Sequence, residues 1–259
     1  MRTALEWNLR FKQQARWTEQ VRRVLFDGLM LENARRGLEV GCGTGVVSEA
    51  FRLSGQAEIY GIDLRWDFLK FGHSAHPLLH LAGANVFHLP FNEGLFDFVF
   101  CHYFLLWIDN PLLALSEMCR VTRPGGVVFA LAEPDYAGRI DFPLELAETG
   151  RKQSAALRRQ GAEPDIGRRL GGMFHSTGLV QVQTGVLGGQ WGAARPMEEI
   201  ESEWEILRDD LEGILSPEEM RAYQKLDAAA WQAGTRILYI PTFYAWGYVP
   251  GLPVTHTGS

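Results

Sequence analysis

Three glycines at alternate positions, Gly41, Gly43 and Gly45, follow the apolar run Leu38-Glu39-Val40, and Asp63 closes a second run, Tyr60-Gly61-Ile62. A strand that breaks into glycines before a helix lets backbone pass close under a ligand, because no Cβ stands in the way. The helix start that follows offers unpaired N–H groups to an anion. A carboxylate at the next strand's tip is placed to accept from both hydroxyls of a ribose. Together these predict a bound nucleoside that carries a small carboxylate. A phosphate-cradling loop would need four residues between its glycines and then Lys-Ser/Thr, whereas Gly45 is followed by Val46-Val47-Ser48. A nicotinamide fingerprint wants G-x-G-x-x-G, and Val46 stands where its third glycine would fall.

With these residues the chain resembles the class I S-adenosylmethionine-dependent methyltransferases, in the small-molecule group called type 11. The likeness rests on Leu38–Gly45, Asp63, Asn85-Val86-Phe87-His88-Leu89-Pro90-Phe91, Phe96-Asp97-Phe98-Val99-Phe100 and Arg120-Val121-Thr122-Arg123-Pro124-Gly125-Gly126. They stand in family order across about half of the chain, residues 10–133. The resemblance implies that Asp63 binds the ribose and that Glu39 serves the methionine ammonium. Asn85, where the family usually has Asp, would read adenine through its side-chain carbonyl. Gly41, Cys42, Gly43, Leu64, Val86 and His102 complete the cofactor set it implies, with S-adenosyl-L-methionine as the cofactor.

Methyl transfer from a sulfonium is an in-line displacement that asks for alignment and exclusion of water. A general base is needed only for an alcohol or a protonated amine. Candidates fall at the carboxyl ends of the strands, where open sheets bind ligands. His102, Tyr103 and Trp107 follow the fourth strand, and Glu133, Asp135 and Tyr136 end the fifth. By position His102 and Glu133 are the catalytic candidates. The alternatives are that His102 packs beside the methionine moiety and that Asp135 with Pro134 shapes a turn. Tyr103, Trp107, Asp135 and Tyr136 are the expected acceptor contacts.

The elements that must position these groups alternate strand and helix. Apolar spacing predicts helix over 4–33, in which Trp7, Phe11 or Trp17 either closes over the cofactor or packs on the core. A helix over 45–54, a strand over 57–62, a helix over 65–76 and a strand over 84–88 follow. Phe96–Cys101 reads as a strand buried on both faces, Pro111–Val121 as a helix and Val127–Glu133 as the fifth strand. Pro134–Asp141 reads as a loop, 143–160 and Pro164–Ser176 as helices, 179–187 as the sixth strand, and 241–249 as the seventh, antiparallel to it. Between those two strands, Met197, Ile200, Trp204, Leu207 and Leu211 give one helix its apolar stripe. Ser216-Pro217-Glu218-Glu219 is a capping box that starts another. The expected fold is α/β, a Rossmann-like doubly wound sheet of seven strands, mostly parallel, with helical lid insertions. It forms one domain over 1–259, with a helical cap at 1–36, a core at 37–133 and lids at 134–165 and 190–238.

Composition excludes several classes. The net charge of −6 argues against a dedicated nucleic-acid binder, and Cys101-His102-Tyr103-Phe104 lacks the Asn/Asp-Pro-Pro-aromatic pattern of an enzyme acting on exocyclic base amines. Arg2, Glu6, Arg10, Lys12 and Arg16 interrupt any leader-like run, and no stretch is long and apolar enough for a bilayer, so a cytoplasmic enzyme without membrane contact is expected. Cys42, Cys101 and Cys119 form no CxxC pair and read as reduced packing residues. His73, His76, His80 and His88 have no metal-ligand spacing, and no metal is expected. Arg151, Lys152, Arg158, Arg159, Arg168 and Arg169 make one lid basic, either as a solvated face or as a patch for a carboxylate-bearing acceptor. The partner expected is a small-molecule acceptor. The rivals are a cofactor-binding protein of the same fold without catalysis and, on the glycines alone, a nicotinamide oxidoreductase.

Overall fold

The computed structural model describes residues 2–29, 31–188 and 197–251. Its centre is a seven-stranded sheet. The strands in chain order are β1 (Arg36–Val40), β2 (Glu58–Asp63), β3 (His80–Gly83), β4 (Phe96–Cys101) and β5 (Thr122–Pro134). A two-stranded satellite sheet pairs β6 (Ile140–Phe142) with β8 (Ile237–Tyr239), and β7 (Val180–Leu187) and β9 (Thr242–Tyr248) complete the main sheet. The spatial order is β3-β2-β1-β4-β5-β9-β7. The first five strands run parallel, and β9 lies antiparallel between β5 and β7. The order reverses between β1 and β4, so the ends of those two strands form the crevice where open sheets take ligands.

Alternation along β4 builds a core on each face. Phe98 and Phe100 join Phe51 and Phe129 on one side, the Phe100 and Phe129 rings stacked with centroids 5.2 Å apart. Val99 and Cys101 face Leu115, Met118 and Phe174 on the other. Each fully buried ring contributes about 1.5–3 kcal/mol. These layers are supplied by helices α3 (Val46–Ser54) and α4 (Trp66–Ala75) on the first face, and α5 (Pro111–Val121) and α7 (Leu170–Ser176) on the second.

Four expectations change. The first helix is two, α1 (Ala4–Trp17) and α2 (Glu19–Gly28). At the break, the Thr18 hydroxyl donates back toward the carbonyls of Gln14 and Ala15, the competition with the helix ladder that threonine favours. The third strand lies at His80–Gly83 and not at 84–88. Asn85 caps a short 3-10 turn there by accepting from the Phe87 N–H at 2.9 Å, which bends the chain away from the sheet. Pro134–Asp141 is no simple loop, because β6 begins within it. The helix expected over 143–160 starts later, as α6 (Ala147–Arg159), after a 3-10 turn. The second lid carries α8 (Met197–Asp210) and α9 (Pro217–Gln232), the latter opened by the Ser216–Glu219 capping box. The Met197 side chain and residues 189–196 fall outside the described residues.

Candidate active site

The loop after β1 is bent over the end of β2. The N–H groups of Gly41 and Cys42 both donate to the Ile62 carbonyl at 2.9 Å. Gly41 (φ 71°) and Gly43 (φ 55°) are left-handed, a conformation that side chains resist. Their bare faces are also used for packing. A Cβ on Gly41 would lie 2.1 Å from the Phe104 ring, and one on Gly43 would lie 2.7 Å from Phe11. The glycine loop is thus roofed by the turn after β4 and by α1, which is further tied down by the Thr44 hydroxyl donating to Asn8 at 2.9 Å. Phe11 packs edge-on to Phe68 and stacks on Trp7, so the N-terminal rings close over this loop.

Asp63 ends β2 as expected. One of its oxygens accepts from the Gly43 N–H and the other from the Arg65 N–H, each at 2.8 Å. A carboxylate has about four acceptor positions, so capacity remains for two hydroxyls. Asp63 pairs in register with Gly83, which brings Asn85 and buried Val86 alongside it one strand over. The Asn85 carbonyl is already engaged with Phe87, leaving its second lone pair and its amide donors. Leu64 projects into solvent at the rim. Glu39 is buried, with its carboxyl accepting from Ser48 at 2.5 Å. Burial pushes its pKa up to about 8, against the pull of Ser48 and of the Arg22 charge.

Both catalytic candidates are engaged by the protein's own groups. The His102 Nε2 lies 3.0 Å from the Thr18 hydroxyl, which also accepts from Arg22 at 2.8 Å. Burial, and then the Arg22 charge, depress the imidazole to about 3, so it stays neutral and weakly basic. Glu133 is fully buried, and its oxygens accept from the N–H groups of Phe104 and Leu105 at 2.9 and 2.8 Å and of Leu106 at 3.1 Å. It fixes the turn after β4 and does not face an acceptor. Burial raises it to about 7 despite those three bonds. Thr18, Arg22, Asn8 and Phe104 are the residues sequence reasoning missed. The break in helical register at Thr18 was the only local signal.

Three of the four expected acceptor contacts converge. Tyr103, Trp107 and Tyr136 line a cavity of about 470 Å³ with Trp7 and Trp17 of α1 and residues of α6, α8 and α9. Tyr103 holds φ at 49°, rare for a side-chain-bearing residue and common at ligand sites. Asp135 does not join them. It is buried in a two-point ion pair with Arg168, 2.8 and 2.7 Å, while its N–H donates to the Pro241 carbonyl. Four of the six basic residues of the lid are ion-paired, Arg151 with Glu148, Arg158 with Asp165, Arg168 with Asp135 and Arg169 with Glu163. Among the described residues no group of three or more His, Cys, Asp or Glu is placed to hold a metal ion, and no helix is long and apolar enough to cross a membrane.

A glycine-turned crevice at the reversal point, a strand-tip acid beside it and β9 running antiparallel between β5 and β7 define a nucleoside-binding α/β fold of the methyltransferase type. Residues 38–130 match Methyltransf_11, a methyltransferase domain. Residues 38–130 carry this methyltransferase domain, and the chain is a methyltransferase similar to the class I S-adenosylmethionine-dependent small-molecule enzymes. It is 27% identical over 193 residues to the demethylmenaquinone methyltransferase of Geobacillus kaustophilus, covering 67% of this chain and 81% of that one. It is 32% identical to the demethylmenaquinone methyltransferase of Renibacterium salmoninarum, over 48% of this chain and 51% of that one. Among solved structures, phosphoethanolamine N-methyltransferase 2 of Haemonchus contortus superposes with a TM-score of 0.57 at 14% identity, over 90% of this chain and 53% of that one. The [4+2]-cyclase SpnF superposes at 0.55 with 17% identity, over 90% and 81%. Those two share the fold.

Proposed function

We propose that this enzyme methylates a small acceptor held in the cavity between the carboxyl ends of β4 and β5 and the two helical lids. The observation that carries the reading is the cavity itself, about 470 Å³ and lined by eight aromatic rings among aliphatic and polar side chains, a size that suits a small molecule. The similarity to demethylmenaquinone methyltransferases supports a small acceptor with substantial apolar surface. The whole chain, 1–259, acts as one domain, with the cap at 1–36 and the lids at 134–165 and 190–238. The net charge of −6 favours a small molecule over nucleic acid as partner.

S-Adenosylmethionine, when bound, supplies an electrophilic methyl group on sulfur. The chain's own residues bind and orient it. Asp63 accepts from the ribose hydroxyls, Asn85 and Val86 border the adenine, and Leu64 covers its rim. Glu39 meets the methionine ammonium, while Gly41, Cys42 and Gly43 carry the backbone beneath it. Thr18, Arg22 and His102 form one hydrogen-bonded chain at the methionine end. Tyr103, Trp107 and Tyr136 bound the acceptor and exclude water. Alignment and desolvation carry the rate, on the order of 7–11 kcal/mol in well-oriented cases. Neither His102 nor Glu133 moves a proton. Incubating the protein with methyl-labelled cofactor and a fractionated metabolite extract, then identifying labelled products by mass spectrometry, tests this. A labelled small molecule is the expected product. Label appearing only in protein or RNA would refute the reading.

A further inference from the structure

The acceptor cavity carries charged groups that the methyl-transfer reading does not use. Arg139 pairs with Asp141 at 2.6 Å, and its guanidinium also donates to Gln153 at 2.8 Å. Arg236 pairs with Asp227 at 2.6 Å and with Asp141 at 2.9 Å. Both guanidiniums are therefore neutralised within the wall. Arg10 lies over the Trp17 ring at 4.7 Å and donates to Gln13 at 2.6 Å, and the largest charge acting on it is that of Glu203. One ionisable group in the lining has no opposite charge. Asp210, on the inner side of α8, accepts only from neutral amides, from Gln153 at 2.9 Å and from Gln160 at 3.2 Å. No arginine or lysine among the described residues pairs with it. Among the described residues, Asp210 is thus a lining carboxylate held by neutral donors, unlike Asp227 and the neighbouring Asp141, which are ion-paired.

The arrangement is directional. Arg139 holds the Gln153 carbonyl, which turns that side chain's amide toward Asp210. A carboxylate fixed by neutral donors keeps its charge in place without cancelling it. Aromatic walls beside such a group attract cations through their ring faces, and Tyr136 is close enough to Asp210 to feel its charge.

Building on the proposed small-molecule methyltransferase, we infer that the acceptor carries a cationic ammonium group, which seats on Asp210 between the aromatic walls. The ammonium is an anchor, and the inference holds whichever atom of the acceptor takes the methyl.

The test titrates the protein, saturated with S-adenosylhomocysteine, with three probes of one shape: phenethylamine as ammonium, 2-phenylethanol as neutral analogue and phenylacetate as anion. The readout is intrinsic fluorescence, since Trp107, Trp204 and Trp231 line the cavity. The ammonium should bind at least about tenfold tighter than the alcohol, as expected for a charge-assisted hydrogen bond in a partly desolvated site. Phenylacetate should bind more weakly still. Asp210→Asn should abolish the preference and Asp210→Glu should keep it, with affinity for S-adenosylhomocysteine unchanged in both. The wild-type comparison alone decides the case if a variant misfolds. Equal or tighter binding of the alcohol or the anion, no response to any probe, or a preference that survives in Asp210→Asn overturns the inference. Calorimetry of the wild type separates the two readings. Failure to bind S-adenosylhomocysteine would sink the methyltransferase assignment itself, whereas intact binding without an ammonium preference sinks only the anchor.

Discussion

At the scale of single residues, the proposed cofactor site has two carboxyls in different surroundings, Asp63 at a strand tip and Glu39 buried. Asp63 is held by two backbone N–H groups and stands ready for ribose. Asp63→Ala should weaken S-adenosylhomocysteine binding by about 1–3 kcal/mol, because it leaves hydroxyls unpaired. Calorimetry on the folded variant checks this, and an unchanged affinity would show the acid misassigned. Glu39, with its pKa near 8, is mostly protonated at pH 7 in the free protein. Pairing with an ammonium requires the carboxylate, so cofactor binding at pH 7 should release a proton. The measured heat should then vary with the ionisation enthalpy of the buffer, an effect that fades above pH 8 and disappears in Glu39→Gln. The same shift has a stability consequence. A raised carboxyl stabilises the fold fully below its unfolded value of 4.5, and that contribution is lost as pH rises through about 8. Cofactor-free Glu39→Gln should lack that decline when denatured with urea across this range.

Among elements, the lids are joined both by an apolar cluster, in which Ala156 of α6 is grouped with Trp204 and Leu207 of α8 and Met220 of α9, and by charge. Arg236, between α9 and β8, reaches Asp227 on α9 and Asp141 on β6, and the Trp204 indole of α8 donates to Asp227 at 2.8 Å. All three ionised side chains are buried. Truncating one partner leaves a buried charge uncompensated, so Arg236→Ala should cost about 3–5 kcal/mol by urea denaturation. A loss under about 1 kcal/mol would mean that water already reaches this network. Glu133 does comparable work inside the core, where three N–H groups of the turn after β4 converge on it.

For the whole molecule, charge and closure select the partner. The excess of six negative charges and the ion pairing of Arg151, Arg158 and Arg169 disfavour a phosphate backbone as partner. Filter binding to unspecific RNA or DNA at physiological salt should therefore register nothing in the micromolar range. Salt-sensitive micromolar binding would reopen the case for a macromolecular acceptor.

Sequence by itself determined most of the main sheet and the glycine turn beside Asp63, because both depend on short-range signals. Gly41 and Gly43 report a backbone that must turn left-handed, Asp63 ends a six-residue strand, and Phe96–Cys101 reads as buried on both faces. The proline at Pro111 and the Ser216–Glu219 box mark helix starts, since capping is local chemistry. What lay between chain segments could not be read so. The surroundings of His102 are set by Thr18 and Arg22, far away in sequence. Glu133 looked exposed to substrate at a strand end until three N–H groups closed on it, and Asp135 until Arg168 did. A titratable side chain's role depends on what desolvates and neutralises it, and those neighbours come together only when the lids fold back over the sheet.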